Sequence, residues 1–270
     1  MPANAVYNAF NLSNSTPAVP SGAGNQNVKW QNDSSTPPNI SSYVTMTPLS
    51  PDTYPVPPNA ANDEFDGSVF DTAGTRFAGA TPWVWLNQPS GATATLASGY
   101  LNLNALNSGT FNATAIAQAQ AGAAWEYQMK YTCRASGFSS YNDTGMIVYN
   151  SGNGHYVSIG ILSNAGSATT RFIQVDEWSS FTNSVSQPAV TSNIVTGNQW
   201  YEIPFYYFSV VLSGGNVAYR YSNDGVVFYT LYTLALATYP GAVTHIGMYC
   251  GPSTNTDTLS ILVDWFRRIS

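Results

Sequence analysis

Charge is what this sequence has least of. Its 270 residues carry 8 Lys+Arg and 14 Asp+Glu, so only 8% of the chain is charged, against about 25% in an ordinary soluble domain. With a net charge of −6 and so few basic side chains, no phosphate-binding stripe can form and nucleic acid is not an expected partner. Long apolar runs are missing too. The strongest, Phe205 to Leu212, falls well short of the roughly 18 residues of a membrane-spanning helix, so no membrane role is expected. The opening Met1-Pro2-Ala3-Asn4 has neither the basic nor the apolar part of a secretion signal.

Histidine and cysteine are nearly absent. His155, His245, Cys133 and Cys250 are isolated from one another in the chain, so the close pairs of a zinc site do not occur. There is no Gly-x-Ser-x-Gly turn for a Ser/His/Asp triad. The cysteines read as thiols half-buried in strands, the alternative being a long-range disulfide in an oxidising setting. What replaces charge is Asn, Ser, Thr, Gly and ring. Aromatics reach 14%, with 7 Trp and 18 Tyr, the reverse of a disordered composition.

The chain divides near residue 62. Residues 1–62 are rich in Pro, Ser and Asn, including Pro37-Pro38 and Pro57-Pro58. Only Val28–Gln31 and Ser42–Thr45 look strand-like there, so an extended arm held by neighbouring subunits is expected. Residues 63–270 read as a succession of short strands. Tyr127-Gln128-Met129-Lys130-Tyr131-Thr132-Cys133 alternates apolar with mostly polar, the period of a half-buried strand. Gly214-Gly215 and Asn223-Asp224-Gly225 mark tight hairpin turns. Ala113–Ala124 is helical by propensity, but Thr114, Ile116 and the strands around it favour a strand. Many strands and no convincing helix predict an all-β fold, an antiparallel two-sheet jelly-roll sandwich.

Several segments carry a resemblance. Asn62-Asp63-Glu64-Phe65-Asp66-Gly67, Trp83-Val84-Trp85-Leu86-Asn87-Gln88, Ser98-Gly99-Tyr100-Leu101-Asn102-Leu103, Tyr221–Phe228 and Val263-Asp264-Trp265-Phe266-Arg267 follow one another in that order. Together they resemble the concanavalin A-like lectin/glucanase jelly roll, in the version found in bacteriophage tail-fibre and other virion proteins. Asn25–Gln31 and Asn39–Val44 resemble the start of phage tail and fibre proteins. The resemblance implies a concanavalin A-like domain over 63–270 and an assembly arm over 1–62. It implies a non-enzymatic bacteriophage virion protein, a tail-fibre or capsid-decorating subunit. Such a subunit is made in the host cytoplasm and resides in the virion. It would assemble as a homo-oligomer, a trimer first, and touch other virion proteins through the arm. The alternative is a receptor-recognition module that binds host surface glycans.

Carboxylates are few enough to test for catalysis one by one. A retaining glycosidase needs an acid and a nucleophile about 5 Å apart. Laminarinase-type members of this fold take both from one strand, where alternate residues share a face. Here Glu64 and Asp66 have that spacing, but Ser68 stands where the next Glu is required. Asp176 and Glu177 are adjacent and so point to opposite faces, and Glu126 and Glu202 stand alone. No sequence-local pair survives, which leaves only a pair assembled from distant strands.

Carbohydrate binding has candidates in Tyr141, Tyr149, Tyr156, Trp178 and Phe181, rings in loops or at strand ends where a sugar face can stack. Against this, rings in a sandwich more often belong to a core or an interface. Trp83, Trp85, Trp125 and Trp265, in alternating strands, read as core. One structural calcium site is implied by the resemblance. Asp264 on the last strand would bind the ion with Asp63, Glu64 and Gly67 of the opening segment, since calcium takes six to eight oxygens. The alternative is a carboxylate capping backbone amides where first and last strands meet.

Overall fold

The computed structural model describes residues 26–32, 39–46, 59–76, 79–106, 110–135, 142–163, 170–191, 195–196, 205–252 and 258–270. It divides into two units, Met1–Pro57 and Pro58–Ser270. In the first, β1 (Gln26–Asn32) and β2 (Asn39–Met46) pair antiparallel with Val28 opposite Val44. The two strand-like segments of the arm therefore join into one ladder; residues 59–62 fall in the second unit, with Ala61 in its core, and the remainder of 1–62 lies outside the described residues.

The second unit is a sandwich of two antiparallel sheets, with no helix among the described residues. One sheet has the order β15 (Tyr229–Ala235), β14 (Asn216–Ser222), β13 (Tyr206–Ser213), β7 (Trp125–Ala135), β17 (Thr258–Arg268), β5 (Tyr100–Leu106), β4 (Thr93–Ala97). The other runs β11 (Asn183–Val190), β10 (Thr170–Ser180), β9 (His155–Ser163), β8 (Asn142–Asn150), β16 (His245–Gly251), β6 (Thr114–Ala119), β3 (Trp83–Asn87), with β12 (Val195–Thr196) beside β10. The expected all-β sandwich is what forms, because the side-chain period of two puts one apolar row of each strand inward.

That period fills the space between the sheets. Tyr127, Met129, Tyr131 and Cys133 of β7 meet Met146 and Val148 of β8, Ile159 and Ile161 of β9, and Ile246, Met248 and Cys250 of β16 in one core. Each large side chain so buried contributes about 1.5–3 kcal/mol relative to exposure. Both cysteines are buried free thiols in this layer, and burial pushes the Cys250 thiol up. The Ala-rich stretch enters it as a strand: Ile116 of β6 points inward and pairs with Met248 of β16. Turns follow the sequence signals as well. Ser98 and Gly99 have φ of 55° and 76°, and Gly214 and Gly215 of 59° and 78°, two positive values in succession as a two-residue hairpin requires.

The opening segment closes against the last strand. Asp63 and Phe266 exchange backbone hydrogen bonds of 2.8 and 2.9 Å. Asp63 also accepts from the buried Trp83 indole N–H at 2.7 Å. In β17 the register slips between Val263 and Trp265. Asp264 is thus the extra residue of a bulge, and inward packing passes from Val263 to Phe266.

Candidate functional site

The face of β8, β9, β10 and β16 turned away from the core is not a solvated surface. Outward residues fall in rows set by the register. One row holds Trp178, Tyr156, Tyr149 and His245; the next holds Asp176, Ser158, Ile147 and Gly247; a third holds Gln174, Gly160, Gly145 and Tyr249. Asp143 stands one row further, opposite Gly251. The two carboxylates flank the Gly160–Gly145 row, where no side chain separates them, and Gln174 spans the gap. Its amide donates to Asp176, and the Gln187 amide of β11 donates to Gln174 in turn.

A second apolar cluster covers this face. Trp178 stacks on Phe111 (4.9 Å between ring centres, 14°) and on Tyr156 (5.6 Å, 6°), and Phe181 lies over Tyr156 at 5.0 Å and Tyr149 at 5.6 Å. The turn between β10 and β11 folds across the sheet, because the Phe181 carbonyl accepts from Ala113 N–H at 2.9 Å, just ahead of β6. The Trp178 indole N–H points down to Ser158 Oγ at 3.0 Å.

Burial on this face decides the electrostatics. Asp143 and Asp176 are 1% and 3% exposed, and among the described residues no cation pairs with either. Loss of solvation pushes both carboxyls above the ordinary Asp range, and for Asp176 the charge of Asp143 adds to the rise. Neither oxygen of Asp143 completes a hydrogen bond, although the Tyr249 hydroxyl, the Thr144 amide and Gln174 partly offset its desolvation. Burial, then both carboxylates, hold the Tyr156 and Tyr249 hydroxyls well above their usual pKa. Two like charges without a cation cannot both ionise cheaply, so the pair retains protons that an exposed pair would lose. Perturbed carboxylates converging on one face are a functional-site signature.

The sequence candidates divide. Tyr149, Tyr156, Trp178 and Phe181 come together on this one face, but Tyr156 and Trp178 are buried by their own neighbours, leaving Tyr149 and Phe181 half-exposed. Tyr141 lies outside the described residues. The acids assigned to calcium have cationic partners of this chain: Asp264 meets Lys130 at 2.6 Å, Glu64 takes Arg267 at 2.7 and 2.6 Å, and Asp63 faces Arg76 at 3.4 Å. Gly67 packs by Leu96. Oxygens already shared with guanidinium and ammonium groups do not fit a calcium shell. Asp143 went unread because its neighbours in space come from other strands. Two signals were available: Gln174, Asp176 and Trp178 alternate onto one face, and Gly145, Gly160 and Gly247 sit in mid-strand, where glycine marks a close approach.

No family model matches the chain, and no curated protein does. Solved structures match its fold. A mutant of the GH43 protein BlXynB from Bacillus licheniformis is 16% identical over 79% of this chain and 40% of its own, with a TM-score of 0.55. A xylan beta-1,4-xylosidase from Bacillus halodurans C-125 is 15% identical over 78% of this chain and 39% of its own (TM-score 0.54). A bifunctional GH43-CE protein from Bacteroides eggerthii is 16% identical over 79% and 26%, also at 0.54. This chain thus spans two-fifths or less of their lengths. At such identity the likeness establishes the β-sandwich. It also overturns the expectation of a non-enzymatic bacteriophage virion subunit: these proteins are glycoside hydrolases, and none of the three is a virion component. The comparison of carboxylates within single strands did not reach Asp143 and Asp176, which β8 and β10 bring to one face.

Proposed function

We propose that this chain is a carbohydrate-active β-sandwich that engages a neutral glycan at the outer face of β8, β9, β10 and β16. One observation carries the reading: two buried carboxylates, with no cationic partner among the described residues, share the face opposite the core with a stack of aromatic rings. Rings offer flat apolar surface to the C–H face of a sugar, and carboxylates accept its hydroxyls; pockets for neutral polar ligands combine these two elements. The half-exposed Tyr149 and Phe181 supply the accessible rings. Xylose-based glycans are the first probes, since a xylan xylosidase shares the fold. Titration calorimetry with xylo-oligosaccharides, arabinoxylan fragments and cello-oligosaccharides tests it. Kd in the micromolar to millimolar range, about −8 to −4 kcal/mol, and weakening by Tyr149→Ala are expected; no binding to any member of the set discards the reading.

Hydrolysis by this chain itself is a second reading, favoured by the raised pKa of both carboxyls. One protonated carboxyl would pass its proton to the glycosidic oxygen as that bond breaks. The other, ionised, would take a proton from the water whose oxygen bonds to the anomeric carbon. Release of reducing sugar that disappears in Asp143→Asn and Asp176→Asn separates this reading from binding alone.

A further inference from the structure

The last strand of a sheet leaves every second backbone N–H and C=O without a partner. Proteins blunt such edges with bulges, proline, charge or covering chain. Among the described residues the two sheets of the sandwich end in β15, β4, β11 and β3, and all but β4 are blunted. In β15 the register to β14 steps from Tyr219 opposite Tyr232 to Arg220 opposite Thr230, so Leu231 is the extra residue of a bulge. β11 contains Pro188, and its register to β10 slips repeatedly. β3 slips at Leu86, and its first residue, Trp83, donates its N–H to the Asp71 carbonyl at 3.0 Å.

β4 has none of these devices. Thr93–Ala97 keeps an unbroken register with β5 and contains neither proline nor charge. The hairpin turn decides which of its backbone groups face outward. Ala97 and Tyr100 flank the two-residue turn Ser98-Gly99, so they exchange both hydrogen bonds. By alternation Thr95 does so with Asn102, and Thr93 with Asn104. The N–H and C=O of Ala94 and Leu96 therefore point away from β5. Among the described residues no main-chain hydrogen bond from outside the ladder reaches either one. Their side chains pack on the core, while Thr93, Thr95 and Ala97 lie exposed.

The geometry points to β4 as a self-association edge, where a second copy of this chain pairs with it antiparallel across a two-fold axis. A two-fold interface brings the same surface of each copy together, and here the outward groups match. Ala94 exchanges hydrogen bonds with Leu96 of the partner subunit, and Thr95 meets the partner subunit's Thr95 at the axis, a favourable cross-strand pair. Charge does not oppose the contact. No charged residue lies between Arg76 and Glu126, so two copies of a chain with net charge −6 meet here without local repulsion. A foreign peptide would be selected by pockets for its alternate side chains, and the exposed row of Thr93, Thr95 and Ala97 presents short side chains instead. A five-residue edge buries little surface, so the dimer is weak and depends on concentration. None of this depends on the glycan reading.

Sedimentation equilibrium of the full chain over a wide range of concentration tests it, with Ala94→Pro, Thr95→Lys and Thr95→Cys as variants. Ala94→Pro deletes an outward donor that β5 does not use. Thr95→Lys, at an exposed position, sets like charges face to face, and melting curves confirm folding of each variant. The expected result is a monomer–dimer equilibrium whose dissociation constant rises about tenfold or more in Ala94→Pro and Thr95→Lys. Thr95→Cys should cross-link into a disulfide dimer under oxidised glutathione. Facing residues of a non-hydrogen-bonded pair have Cα atoms about 4.5 Å apart, within disulfide reach, and Cys133 and Cys250 are buried. A chain that stays monomeric at every concentration overturns the inference. So does a trimer, which one edge per copy cannot form. A dimer unchanged in both Ala94→Pro and Thr95→Lys, or one that Thr95→Cys fails to cross-link, associates through another surface and overturns it as well.

Discussion

Gly145 and Gly160 face each other across β8 and β9 with no room for a side chain on either. A Cβ on Gly145 would stand 2.1 Å from the Ile159 carbonyl oxygen and 2.5 Å from the Gly160 Cα; one on Gly160 would stand 2.0 Å from the Thr144 carbonyl oxygen. The obstacle is backbone, which cannot swing aside. This pair also leaves the middle of the row between Asp143 and Asp176 without side chains of its own, and Gln174 from β10 reaches into it.

Gly145→Ala is therefore expected to destabilise the chain by at least the ~1–3 kcal/mol of an overpacked core, and Gly160→Ala likewise. Gly214→Ala, in an exposed turn with nothing near its Cβ, loses only the ease of a positive φ. Urea denaturation of the three variants checks the order; equal midpoints for Gly145→Ala and the unchanged chain would refute the close approach.

The carboxyl pair sets the direction of pH dependence. Asp143 and Asp176 have folded pKa values above the unfolded ones, chiefly through burial, and Asp63 is raised in the same sense. The folded state then binds more protons than the unfolded state, so stability is greatest at low pH. It falls as pH climbs from the ordinary Asp value, about 3.9, through the folded values. His245, lowered by burial, acts oppositely, adding stability as pH rises to its unfolded value of about 6.5. The net expectation is a melting temperature that declines between about pH 5 and pH 8, and a flatter profile in Asp143→Asn/Asp176→Asn. A chain more stable at pH 8 than at pH 5 contradicts this assignment.

The sandwich was legible because strand period and turn chemistry act locally. Tyr127 to Cys133 alternates, and Gly214-Gly215 turns a hairpin, whatever lies around them. Thr114 and Ile116 decided correctly between helix and strand for the Ala-rich stretch. The site was not legible in the same way. Asp143, Gln174 and Asp176 meet only through the register of β8 with β9 and β9 with β10, which no local spacing encodes. Rings expected to be open sugar platforms turned out to pack on one another: Tyr156 lies between Trp178 and Phe181. Scarce charge and phage-like segments suggested a virion. Composition describes what a surface avoids, and it does not name a partner.

The corner where the first and last segments meet makes a further prediction. Trp83 is fully buried and donates to Asp63 at 2.7 Å. Trp83→Phe keeps most of the ring and deletes that donor, leaving a buried carboxylate short of one hydrogen bond. A loss of about 1–3 kcal/mol is expected. Glu64→Gln nearby weakens an ion pair whose carboxylate side chain is 44% exposed, and costs at most about 1 kcal/mol. If Glu64→Gln proves the more damaging of the two in thermal melts, the buried contact is not what closes the corner.

The cover over the ring row, one row from Asp176, depends on Phe181. Its ring covers Tyr149 and Tyr156, and its carbonyl is the tie to Ala113. Phe181→Ala keeps the backbone tie and removes the ring, so the turn should stay in place while the site beneath it becomes wet. Cavity formation at a core Phe costs about 3–5 kcal/mol; a half-exposed ring falls below that, and the sandwich should remain folded on its separate main core. Water entering beside Asp176, in the next row, restores part of its solvation. Its carboxyl then moves back toward the ordinary range, and the decline of stability with rising pH becomes shallower. Trp178, stacked between Phe111 and Tyr156, should show red-shifted fluorescence, resolved by subtracting the spectrum of Trp178→Phe. An unchanged pH profile in a folded Phe181→Ala chain would show that something other than this ring keeps Asp176 dry.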